Sequence, residues 1–178
     1  MANPEHLQIV KQGVEVWNQW RKQHSDITPD LTRANLSGAK LSRANLSEAN
    51  LSGTVLRRAN LREVNLRQAN LGQVDLFEAN LTRAFLGDVN LVGALLILTN
   101  FVKTNMSGAD LSKVSFSETI FGDTNLTAVW GLETCRHIGP STLDHRTLAR
   151  SGPLPLAFLR GCSLNDWEIE VTKYHSIN

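Results

Sequence analysis

Cysteine is scarce in this chain, with Cys135 and Cys162 the only two among 178 residues. Two thiols cannot build a disulfide framework. Charge is not in excess either: the formal net charge is +1, so nothing global points to a polyanion or to an anionic membrane. No apolar run approaches the roughly 20 residues a membrane-spanning helix needs. The N-terminal stretch MANPEHLQ lacks the charged region followed by an apolar segment of a secretory signal, so a cytoplasmic protein is expected. Gly-rich phosphate loops, paired carboxylates at catalytic spacing and metalloprotease motifs are all missing. These absences argue against an enzyme and imply no cofactor, metal site or small-molecule substrate.

What is present is repetition. Every fifth residue from Leu31 to Leu126 is large and apolar, twenty times in succession: sixteen Leu, three Phe (Phe101, Phe116, Phe121) and Met106. Two positions before each stands Ala, Thr, Val or, once, Pro29. The residue between them is Asn or Asp in fourteen of the twenty cases. A helical solenoid cannot use this period, because Leu at every fifth position drifts about 140° around a helix per step and leaves no buried stripe. A flat strand at period two fails as well.

A five-residue period is satisfied if the residues flanking Asn both point inward and each pentapeptide forms one short side ending in a turn. Small and large inward residues then alternate, which lets a narrow solenoid reach native packing density. Asn and Asp suit sharp turns, and stacked Asn side chains add hydrogen bonds along the axis. Four sides would close one square coil of twenty residues. The tract then makes about five coils, a column roughly 24 Å long at strand spacing.

The run A-N-L-S-G, A-K-L-S-R, A-N-L-S-E, A-N-L-S-G resembles the pentapeptide repeat proteins across residues 29–128. That resemblance implies an all-β solenoid, a right-handed quadrilateral β-helix. The flanking residues Gly13, Trp17-Asn18-Gln19-Trp20-Arg21, Gly131-Leu132-Glu133-Thr134-Cys135, His137 and Phe158-Leu159-Arg160-Gly161 resemble a bacterial subgroup of that family. In that subgroup such a block often precedes an effector domain, including Toll/interleukin-receptor-like domains. The chain shows no effector signature, and its close at Ile177-Asn178 is compatible with a piece of something longer.

Both open ends of a β-helix need covering. Residues 1–28 read as an N-terminal amphipathic capping helix: Asn3-Pro4-Glu5 starts it, and Leu7, Val10, Val14 and Trp17 recur at helical spacing. Residues 29–128 are the repeats. Residues 129–178 read as a helical C-terminal cap or interaction segment, because Gly131 falls where the next Leu belongs. Helix starts are expected at Ser141 with Asp144, after Pro153 and Pro155, and at Ser163 with Asp166.

Cys135, His137, His145 and Cys162 are the one cluster of reactive types, yet their spacing preorganises no metal site. A Cys135–His137–Asp144 nucleophile is conceivable on composition alone. The outward columns say more. Residues twenty apart stack, so Arg43, Glu63, Arg83, Lys103 and Asp123 form a ladder of largely alternating sign. Arg57, Arg58, Arg62 and Arg67 lie on successive sides of one coil as a candidate basic girdle. One side is apolar outside as well as inside: Phe77 and Ile97 are outward neighbours, Leu95 and Val55 replace Asn, and Leu98 also faces out. A contiguous patch of this kind marks an interface or a surface covered by another part of the chain.

A scaffold for a protein partner or for self-association follows as the leading reading, as a sensing or assembly module of a larger bacterial effector system. The alternative, implied by the resemblance, is a DNA mimic that regulates or protects a type II topoisomerase. Mimicry of DNA needs a strongly negative rod. The repeat tract has ten Lys and Arg against nine Asp and Glu, so the DNA-mimic role ranks second and a nucleic-acid partner is not expected.

Overall fold

The computed structural model describes residues 1–175; Ile177 and Asn178 lie outside the described residues. The repeating unit is seen clearly in Ala44-Asn45-Leu46-Ser47-Glu48. Asn45 Oδ1 accepts from the Ser47 N–H at 3.3 Å and from the Ser47 hydroxyl at 2.7 Å. Glu48 then adopts φ 61°, and the Ala49 N–H donates to Leu46 O at 3.2 Å to close the turn. Asn is favoured at its position because its short amide bridges two residues onward. The left-handed residue turns the corner, a conformation costing a non-glycine residue about 1–2 kcal/mol that the stacked neighbours must over-determine.

Each side is extended for only a few residues before its corner. Parallel bridges therefore join residues twenty apart, one per side, from Asp30–Asn50 to Asp110–Trp130. Longer pairing appears between β1 (Leu95–Ile97) and β2 (Ser115–Ser117). The inward Leu, Phe and Met residues are all buried. Thr in the small position is buried too, and its hydroxyl is satisfied: Thr54, Thr99, Thr104 and Thr124 each donate to a carbonyl of the neighbouring coil at 2.7–2.9 Å. The expected Asn ladder is present, with Asn65 Nδ2 donating to Asn45 Oδ1 at 3.2 Å and Asn90 to Asn70 likewise.

The N-terminal region differs from the expected single helix. It forms α1 (Pro4–Lys11) and α2 (Val14–Gln23), separated at Gly13, whose φ of 119° breaks the helical run. The two helices bind the first coil through polar atoms as well as an apolar stripe. Trp17 Nε1 donates to Asn45 O at 2.8 Å, Asn18 both donates to Arg43 O and accepts from the Asn45 N–H, and Arg21 reaches Ser47 O.

Beyond Leu126 the winding continues while the period slips. A 3-10 turn (Leu132–Thr134) precedes β4 (Arg136–His137), which pairs with β2 at an offset of 21 residues. β5 (Thr142–Leu143) pairs with β3 (Ile120–Phe121) at an offset of 22. Three helices follow: α3 (His145–Ser151), α4 (Leu156–Gly161) and α5 (Asp166–His175). Two expected starts are displaced. Asp144 itself caps α3, accepting from the Thr147 N–H, while Ser141 is buried in the preceding extended stretch. Ser163 sits at φ 63° after α4, and a reciprocal pair between Asn165 and Glu168 opens α5.

Candidate interaction face

Val55, Asp75 and Leu95 are successive bridge partners on one side of the winding. Phe77 and Ile97 flank this column, both half-buried, while Leu95 and Leu98 are 41% and 38% exposed. Phe77, Leu95, Ile97 and Leu98 therefore form one apolar surface, and the β1–β2 pairing holds its Leu95–Ile97 backbone. Val55 is set apart from it, because Asp75 intervenes and pairs with Arg57 at 3.5 Å. The Arg57 guanidinium also lies 4.6 Å from the Phe77 ring centroid, bordering the patch with a cation on an aromatic face. Ile138, 65% exposed, follows Ser117 in the same outward column as Phe77 and Ile97. Periodicity alone did not reveal it, since the 21-residue offset hides it. Leu98 occupies a corner with φ 57° and borders a groove beside the C-terminal helices.

The candidate girdle divides into two pairs. Arg57 engages Asp75, and Arg58 reaches Glu78 at 2.6 Å, the hydrogen bond to Glu78 raising its already high pKa. Arg62 and Arg67 have no ion pair among the described residues. In the charge ladder Glu63 lies between Arg43 at 2.7 Å and Arg83 at 3.8 Å, and the hydrogen bond from Arg43 holds its carboxyl below the ordinary range. Asp123 pairs with Arg150 of α3 at 2.7 Å. Arg43, Arg57, Arg58 and Arg83 are thus paired locally with carboxylates, while Arg62 and Arg67 are not.

The Cys and His residues do not converge into a catalytic constellation. Burial pushes both thiols up to about 12, so Cys135 and Cys162 stay protonated at neutral pH and are poor nucleophiles. The Cys135 thiol donates to Leu111 O. His137 takes the inward position after Phe116, its ring 5.4 Å from Phe116 and 5.6 Å from Phe158. Its two nitrogens are buried against the Gly161 backbone without a hydrogen bond of ordinary geometry, and burial lowers its pKa. Asp144 is committed to capping α3 and to the Asp123 N–H, so the conceivable Cys135–His137–Asp144 trio is not assembled. His145 is exposed at the start of α3. No group of three or more His, Cys, Asp or Glu suited to a metal ion occurs among the described residues. No helix among them is long and apolar enough to cross a membrane.

The family model for pentapeptide repeats matches eight copies, over residues 30–68, 59–96 and 90–127. Among solved structures, a pentapeptide repeat protein from the thylakoid lumen of Arabidopsis thaliana is 22% identical, with a TM-score of 0.55 over 73% of this chain and 91% of that one. A pentapeptide repeat protein of Nostoc is 34% identical over 56% of this chain and 78% of that one, with a TM-score of 0.35. A plasmid-mediated fluoroquinolone resistance protein is 18% identical over 79% of this chain and 69% of that one, with a TM-score of 0.43. No curated protein matches the chain.

Proposed function

Since this chain belongs to the pentapeptide repeat family, we propose that it is a non-catalytic scaffold for protein–protein contact, a cytoplasmic sensing or assembly module of a larger bacterial effector system. In this reading residues 29–128 form a rod of about five coils, residues 1–28 cap one end, and residues 129–178 cap the other and add contact surface. The observation that carries it is the surface of Phe77, Leu95, Ile97 and Leu98, two of whose residues are exposed on a backbone fixed by parallel pairing. Apolar side chains clustered on a rigid face are suited to a partner surface or a second copy.

Changing Phe77 and Ile97 together to Ser tests this. Both point away from the Leu column, so the variant should keep its circular dichroism spectrum and lose association in sedimentation velocity. A folded double variant that associates like the parent sinks the proposal. The DNA-mimic alternative has less support, because ion pairs such as Arg58–Glu78 and Arg43–Glu63 cancel the surface charge it would require. Inhibition of gyrase supercoiling by the purified chain would reverse this ranking.

A further inference from the structure

Between the corner carrying Leu98 and the helices α3–α5 lies a groove of about 1130 Å³. Seven leucines line it, among them Leu143, Leu148 and Leu159. Four large exposed apolar side chains also line it: Leu98, Ile120, Leu156 and Trp167, the last 75% exposed. An enclosed small ligand would be expected to sit in a pocket of about 300–1,000 Å³ with its apolar contacts covered. Here apolar groups continue out onto the rim, with a Trp of the kind that anchors protein interfaces, so the fitting occupant extends beyond the groove.

Charge narrows the choice. Among the described side chains, the lining carries the carboxylates of Glu118 and Glu168 and the imidazole of His145, and no Lys or Arg. A carboxylate or phosphate head would meet like charge there, whereas a cationic side chain would be attracted.

We propose that this groove docks an amphipathic helix of a partner protein, its apolar stripe flanked by Lys or Arg. The mode is a helix laid into an apolar groove, read at i, i+3, i+4 and i+7. The proposal rests on the scaffold reading and names its partner class, since Leu98 joins the groove to the Phe77–Ile97 face. It also gives the slipped period a purpose, because the added residues after Leu126 lead into the helices that make the far wall.

The test uses the full chain and a fluorescein-labelled peptide of about 18 residues, five helical turns, with Leu at the stripe positions and Lys elsewhere. A matched peptide with Glu in place of Lys is the control. Fluorescence anisotropy should show the Leu/Lys peptide binding at least roughly tenfold more tightly than the Leu/Glu peptide, with the gap shrinking as salt rises. Leu156→Glu and Trp167→Ser, both at exposed positions, should each weaken it at least roughly tenfold. The double variant Glu118→Gln and Glu168→Gln keeps a side chain able to cap α5 and should bring the two peptides close to equal affinity. Equal binding of both peptides to the parent chain, indifference to the groove variants, or displacement by palmitate would overturn the proposal. The Phe77→Ser, Ile97→Ser variant separates the two readings. It should bind the peptide normally; loss of peptide binding there places the helix on the face and not in the groove. Failure of the peptide with association still lost in that variant removes the groove and leaves the face.

Discussion

The repeat tract and the segment after it are built on opposite principles. Between residues 30 and 127 each inward side chain meets nearly the same neighbours above and below, because residues twenty apart are bridge partners. After Leu126 the offset lengthens to 21 and then 22, and each inward position becomes individual: the His137 ring packs at a tilt against Phe116, and Phe158 of α4 closes the column edge-on to Phe121. In the first region one rule applied repeatedly makes the core. In the second, single contacts that occur once decide the structure. The first should therefore fail by loss of volume and the second by loss of a particular atom.

The largest effect is expected from Leu71→Ala, in the middle of a fully buried column. Destabilisation of about 2–5 kcal/mol in urea unfolding is expected, because coils fixed on both sides cannot collapse into the cavity. Leu164→Ala, only partly buried beside α4, should cost far less; equal losses would break the contrast. Next comes Gly161→Ala. A methyl group there would run into the His137 ring, which Phe116 and Phe158 hold in place. An overpacking cost of about 1–3 kcal/mol is expected, with amide exchange accelerating in α4 and unchanged in the repeats.

Asn18→Ala probes the other end. It removes one hydrogen bond to Arg43 O and one from the Asn45 N–H, and about 1–3 kcal/mol should follow for backbone groups left unsatisfied. Acid should act on the C-terminal segment before the repeats. Burial lowers the His137 pKa from its ordinary 6.5, so the unfolded segment binds the proton first. Stability from this group is complete above that value and declines as pH falls below it toward the folded pKa. His137→Phe should abolish this loss, measured as α4 amide exchange between pH 7 and 5. Glu63→Gln should change least, because its ion pairs with Arg43 and Arg83 are at the surface and screened by water. A clear shift of its unfolding midpoint would show the charge ladder to be structural.

Legibility followed the same division. The buried Leu column, the alternation with Ala, Val and Thr, the Asn ladder and the Arg43–Glu63 pairing could all be read from spacing, since each is a local rule repeated. The apolar side was legible for Phe77, Leu95, Ile97 and Leu98. Ile138 was not, because one extra residue moves it out of the counted column. The break at Gly13 was hidden beneath a stripe that continues from Val10 to Val14 and Trp17. The starts expected at Ser141 and Ser163 followed a valid capping pattern. Long-range pairing of residues 136–143 with the winding claimed the first, and the left-handed end of α4 claimed the second.

By itself the sequence determined the coil, because a period of five with small, Asn and large residues in order satisfies every inward position and turn from neighbours in the chain. Tertiary structure decided what the coil presents. Asn18, Trp17 and Arg21 satisfy backbone groups more than twenty residues away, and Ser141, Glu118 and Trp167 come together only when the helices fold beside Leu98. Local turns are encoded where they occur. A groove between distant segments exists only once packing has chosen which of them meet.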